Sequence, residues 1–139
     1  MPEPSIIVDT GPLVAMAAAD DKHHSWAVQQ FGSLSPPFVS CEPVLVETFH
    51  LLSKKPGGVQ AFFNILDSDL VLVEIAVLAK RHALRKLVQK YRNLPMSLAD
   101  ACLVLLSERF PSASVFTIDS DFHIYRRNGR QQIPLLMPP

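Results

Sequence analysis

Ser97-Leu98-Ala99-Asp100-Ala101-Cys102-Leu103-Val104-Leu105-Leu106 reads as a helix with one acid in its first turn and an apolar remainder. A helix that is apolar all round is a buried helix. An ionised carboxylate there carries a large desolvation cost unless a cation or several donors compensate it. Ser97 and Asp100 also have the spacing of a capping box. That explains the serine, but not a charge set between Ala99 and Ala101.

Working outward, three more acids interrupt apolar runs. Ser5-Ile6-Ile7-Val8 is short, continuous and β-branched, as in a strand buried on both faces, and it ends at Asp9. Ser114 to Ile118 is a similar run ending at Asp119. Glu47 interrupts the apolar helix that Pro43 starts, which carries Val44, Leu45, Thr48, Leu51 and Leu52.

The segments between complete the pattern. A helix is expected over Leu13–Ala19 with Thr10 as its N-cap and Pro12 in its first turn. Another is expected from His23 to about Leu34, with Trp26, Ala27 and Phe31 inward. Phe38 to Cys41 reads as the second strand and Leu70 to Glu74 as the third, with a short helix over Val59–Leu66 before it. Val77 to Tyr91 is amphipathic, and Asn93-Leu94-Pro95 ends it. The Ser97 helix closes near Arg109, a helical turn or two is expected between Asp121 and Arg127, and Ile133 to Leu136 reads as a fifth short strand. Short apolar strands alternating with helices predict an α/β fold, a three-layer α/β/α sandwich around a mostly parallel sheet of four to five strands.

Size and composition bound the rest. The 139 residues fit one domain, spanning 1–139, and 48% apolar against 19% charged residues excludes a disordered chain. Thirteen basic residues balance thirteen acidic ones, so a polyanion would have to meet a local patch. Cys41 and Cys102 have neither metal-ligand nor redox spacing and read as buried thiols of a reducing compartment. The longest apolar run, Gly11 to Ala19, is far below the ~20 residues of a membrane span, and no secretory leader pattern is present. A soluble, cytoplasmic protein is expected.

Ligands of open parallel sheets sit beyond the carboxyl ends of the strands. Asp9 and Asp119 stand at two such ends, Asp100 in the first turn of the helix leading into the Asp119 strand, and Glu47 one turn into the helix after the second strand. If the first and fourth strands are neighbours, all four meet at one sheet edge. Converged carboxylates repel one another, and a hard divalent cation with oxygen ligands relieves the repulsion. Such a centre activates water and stabilises charge at phosphorus. Each acid has a plainer alternative: Asp9 as a helix cap, Glu47 as a solvent-facing helix former, Asp119 and Asp121 as turn acids.

These residues resemble a known set. Ile-Ile-Val-Asp9-Thr-Gly-Pro-Leu, Pro-Val-Leu-Val-Glu47-Thr, Leu-Pro-Met-Ser-Leu-Ala-Asp100-Ala and Phe-Thr-Ile-Asp119-Ser-Asp-Phe are similar, in this order, to the four acidic motifs of PIN-domain proteins. The resemblance is greatest to the VapC-type toxin ribonucleases of prokaryotic toxin–antitoxin pairs. It implies a Mg2+- or Mn2+-dependent endoribonuclease, a homodimer held inactive by a small antitoxin, with RNA as substrate. Carried over residue by residue, Asp9, Glu47, Asp100 and Asp119 are the catalytic, metal-binding acids, with Asp121 as a fifth candidate. Thr10 and Thr117 are hydroxyls that orient those carboxylates.

Two readings of the basic residues stay open. Lys80, Arg81, Arg85, Lys86, Lys90 and Arg92 lie in a stretch without an acid between Ile75 and Ala99, either a solvated helix face or a phosphate-contacting rim. Arg126, Arg127 and Arg130 follow Asp119 closely, and Arg126 and Arg127 are candidates for RNA contact. His23-His24 lacks zinc spacing. Rival functions are an RNA-processing or structure-specific DNA nuclease of the same fold, or a non-catalytic α/β binding or signalling module. A phospho-acceptor domain fits poorly, because only Asp9 ends the first strand.

Overall fold

The computed structural model describes residues 3–139, with β1 (Ile6–Val8) at the middle of the sheet. All three β1 residues are buried, as a strand covered on both faces requires. β2 (Phe38–Ser40), β3 (Val71–Val73), β4 (Ser114–Phe116) and β7 (Leu135–Leu136) complete a sheet in the order β3-β2-β1-β4-β7. Every pairing in it is parallel, with Ile7 opposite both Val39 and Val115. The neighbouring β1 and β4 meet the condition on which the four acids were expected to converge.

Six helices flank the sheet: α1 (Thr10–Ala17), α2 (His24–Ser33), α3 (Glu42–Leu52), α4 (Gly58–Asp67), α5 (Arg81–Lys90) and α6 (Leu98–Arg109). Strands and helices alternate as the apolar runs predicted, and the result is an α/β/α sandwich. One core runs through it, from Ile7, Val8 and Leu13 to Leu103, Val115 and Tyr125. On the sheet face formed by Phe38 and Phe116, Phe31 of α2 packs within 5.3 Å and 5.0 Å of their ring centres, and Trp26 within 5.3 Å of Phe116. No helix among the described residues is long and apolar enough to cross a membrane.

Three details differ from expectation. Asp9, not Thr10, caps α1: its side chain accepts from the Thr10 N–H, and Thr10 is already helical. The amphipathic run after β3 is not one helix, because a 3-10 turn at Leu78–Lys80 precedes α5 and Lys80 leaves helical geometry between them. Beyond a 3-10 turn at Ser120–His123, the chain forms a small antiparallel hairpin, β5 (Arg126–Arg127) and β6 (Gln131–Gln132), instead of continuing as helix. Asn128 and Gly129 take positive φ at its turn, 51° and 84°. Asn-Gly is the dipeptide that suits this geometry, since Gly meets no penalty there and Asn a small one.

Candidate active site

β1 leads through α1 and α2 to β2 on one side, while its other neighbour, β4, is reached only after the chain has passed through β3 and α6. The gap beyond the carboxyl ends of β1 and β4 is therefore the switch point of the sheet, where connections depart in opposite directions. Asp9 follows β1 directly and Asp119 stands three residues past the end of β4.

Asp9 is only 7% exposed. Its two oxygens are separately held: Oδ1 accepts from the Thr10 N–H at 2.7 Å and Oδ2 from the Thr117 hydroxyl at 2.7 Å. The Thr117 oxygen in turn accepts from the Asp119 N–H at 3.0 Å, so one buried hydroxyl ties the ends of both strands together. At this junction Gly11 passes so close to Ile118 that a Cβ would run into Cγ1 of the isoleucine. Only glycine lets the first turn of α1 seat there.

Asp100 enters from α6. Ser97 caps the helix by accepting from the Asp100 N–H at 3.0 Å, as the Ser-x-x-Asp spacing predicted. The carboxylate is free for another partner, and Oδ2 accepts from the Tyr125 hydroxyl at 2.8 Å. Asp119 accepts at Oδ1 from the Asp121 N–H at 2.9 Å, which fixes its direction. Glu47 lies at the rim: it is exposed, and its Oε2 stands 3.4 Å from the Thr10 hydroxyl, which Val44 O also faces at 3.5 Å.

Electrostatics connect these groups. Burial pushes the Asp9 carboxyl up to about 7, against the pull of its bonds from Thr117 and Thr10, and the charges of Asp100 and Asp119 add to the rise. Asp100 is also raised, by burial first and by the charge of Asp119, against the Tyr125 bond. Burial and the neighbouring Asp100 together hold the Tyr125 phenol protonated, as a donor should be. Beneath the site the buried Cys41 thiol, hydrogen-bonded to Cys102, stays protonated. Among the described residues the two ion pairs are Lys55–Asp20 and Arg109–Glu74, so no lysine or arginine pairs with the site acids. Nor do three or more acidic, histidine or cysteine side chains among the described residues form a group placed to hold a metal ion.

The structure thus brings Asp9, Asp100 and Asp119 within mutual electrostatic reach, with Thr10 and Thr117 in contact with two of the acids and Glu47 linked through Thr10. Arg126 and Arg127 sit differently from exposed cations. Arg126 Nη1 donates to the carbonyls of His123, Ile124 and Tyr125, and Arg127 Nη1 to those of Ser107 and Pro111. Both are half-buried and clamp their own segment. His24 Nδ1 lies 2.7 Å from Ala15 O and the His23 ring packs edge-on against Trp26, so that pair is packing material.

Tyr125, the donor to Asp100, had no place in the sequence reading. Its ring is fully buried, edge-on to Phe122 and Tyr91 at 5.1 Å each. Tyr91 also accepts from the Arg126 N–H at 3.0 Å. Phe122 and Tyr125, three apart beside an acidic strand end, were the available sign of an inward-facing turn.

Comparison with known proteins agrees with this architecture. No curated protein sequence matches the chain. Among solved structures, the crystal structure of VapC20 from Mycobacterium tuberculosis, described as a sarcin-ricin loop cleaving toxin, aligns with a TM-score of 0.72 at 28% identity. The alignment covers 84% of this chain and 92% of that one. The family model for the PIN domain matches residues 6–128, a span that runs from β1 through α6 and β4 into the hairpin and contains all four acids. With the parallel sheet and the acidic switch point, that match settles the relationship: the chain belongs to the PIN-domain family.

Proposed function

We propose that this chain is a divalent-metal-dependent endoribonuclease of the VapC toxin type, acting through Asp9, Asp100 and Asp119 with Glu47 at the rim. The observation that carries the reading is three carboxylates, one of them buried, within electrostatic reach of one another at the carboxyl ends of β1 and β4, with no protein cation paired to any of them. The donor set fits Mg2+ or Mn2+, hard ions that take carboxylate oxygens and share their shell with phosphate. Held by these acids, such an ion would supply charge neutralisation for the scissile phosphodiester and activation of the attacking water.

The protein's own part is preorganisation. Thr10 and Thr117 fix both oxygens of Asp9, Tyr125 fixes Asp100, and the Asp121 N–H fixes Asp119. The similarity to VapC20 supports RNA as substrate, and the toxin class adds a small antitoxin partner, a homodimer and a cytoplasmic place of action to the proposal.

Incubating the protein with RNA and with DNA, in Mn2+ or in EDTA, tests this. RNA fragments in Mn2+ alone are expected; cleavage that persists in EDTA, or cutting of DNA in preference to RNA, would overturn the reading.

Tyr125→Phe gives a finer check. The ring stays packed against Phe122 and Tyr91, but Asp100 loses its donor and binds its proton more tightly. Removing a group that orients a metal-holding carboxylate lowers metal affinity or activity by about 10–100-fold. Mn2+ titration calorimetry and cleavage rates should both show that drop, with the melting temperature little changed.

A further inference from the structure

Six of the thirteen basic residues fall between Lys80 and Arg92, in a stretch with no acid from Ile75 to Ala99. All six are exposed, and neither ion pair among the described residues involves any of them. A helix face that merely keeps the protein soluble mixes both signs of charge. This one carries a single sign within a chain whose net charge is zero.

The stretch is also joined to the acidic site. Lys90 Nζ donates to Gly129 O at 3.1 Å, bringing the end of α5 against the turn of the β5–β6 hairpin, where Arg130 is exposed. The next residue, Tyr91, packs on Tyr125, whose hydroxyl holds Asp100. Two aromatic side chains, Tyr91 and Tyr125, thus separate the end of the basic ridge from Asp100.

We propose that the C-terminal half of α5 and the adjoining hairpin turn, through Lys86, Lys90 and Arg130, form a track for the phosphate backbone of a single RNA strand leading toward the acidic site. This rests on the ribonuclease reading and adds the substrate's path to it. Lys86 and Lys90 are one helical turn apart, about 6 Å along the axis, close to the separation of neighbouring phosphates in a single strand.

The outer face favours a polynucleotide over a peptide. Protein partners are gripped mainly by buried apolar and aromatic anchors, yet no exposed large hydrophobic residue lies between Arg81 and Arg92. What this face offers is charge without apolar footing, which suits phosphates read without regard to base.

The test is fluorescence anisotropy of an oligouridylate of about 20 nucleotides in EDTA, comparing wild type with K86E/K90E and with the matched charge change K22E/K54E elsewhere on the surface. K86E/K90E is expected to bind about tenfold more weakly and to flatten the slope of log K against log salt by about 1.4, two phosphate contacts' worth for a single strand. In Mn2+, the KM of K86E/K90E for the long strand should rise, whereas that of K22E/K54E should stay at the wild-type value. Binding and slope unchanged, or lost equally in K22E/K54E, would overturn the track. So would displacement of the RNA by a polyglutamate peptide of equal charge at equal concentration. A wild type that cuts no RNA in Mn2+ overturns the ribonuclease reading instead, and the anisotropy series registers that separately.

Discussion

Asp100→Asn is expected to reduce RNA cleavage in Mn2+ by about a thousandfold while leaving the fold intact. Asparagine has the same shape, its backbone N–H still bonds Ser97, and its side-chain oxygen still accepts from Tyr125. What disappears is one negative charge at the place where the cation and the scissile phosphate are to be held. Loss of such a contribution to charge stabilisation in the transition state is worth several kcal/mol, and about 4 kcal/mol corresponds to a thousandfold in rate. Burial already disfavours the ionised form of Asp100, so the neutral amide should not lower the melting temperature. Single-turnover cleavage and thermal melts read the two effects independently. Full Mn2+-dependent cleavage by the Asn variant would remove the acidic site from the mechanism.

Asp9→Asn should make the metal-free protein more stable above pH 7. Burial lifts this carboxyl from 3.8 to about 7 in the folded chain. Between those values the folded chain keeps a proton that the unfolded chain has released. Stability from this group therefore falls as pH rises through that window and is fully lost above it. Roughly three pH units of separation correspond to about 4 kcal/mol, or a melting temperature on the order of 10 °C higher for the variant. The gap should close as pH falls below 3.8, where the folded and unfolded wild type both keep the proton.

Under the proposed function, Mn2+ is expected to work in the opposite direction on wild type. It favours the ionised carboxylate, so its binding releases a proton and stabilises more at pH 8 than at pH 5.5. The Asn variant should show little of that rise. Melts at both pH values, in EDTA and in millimolar Mn2+, check all of this. An Asp9→Asn protein no more stable than wild type in EDTA at pH 8 would contradict the desolvation account. A wild type unmoved by Mn2+ would contradict the metal site.

The parts of this molecule that obey a local rule could be read from its residues. Ile6–Val8 and Ser114–Phe116 are β-branched or aromatic runs that end in acids, and both are strands of the central sheet. Ser97 caps α6 because its side chain needs only the N–H three residues ahead. Parallel strands followed from the alternation of strands and helices, while the adjacency of β1 and β4 was a condition for the acids to converge that only the sheet order supplies.

What escaped depended on distant partners. Tyr125 matters through a carboxylate 25 positions away, and no periodicity marks such a bond. Arg126 and Arg127 look like surface cations in sequence, yet the hairpin turns them onto carbonyls. Asn128-Gly129 was a legible turn signal that went unused. Glu47 interrupts an apolar helix but falls on its exposed side, because α3 buries Val44, Thr48 and Leu52 instead.

The hydroxyl of Thr117 reaches a carboxylate 108 positions earlier in the chain. A polypeptide still emerging from the ribosome can assemble β1, β2 and β3 long before that threonine, or Tyr125 after it, has been synthesised. Until then Asp9 lacks the Thr117 donor and Asp100 the Tyr125 donor, and one edge of β1 has no strand beside it. The arrangement of the acidic site is thus completed late in translation, and a chain broken off before Thr117 and Tyr125 lacks the hydroxyls that hold Asp9 and Asp100.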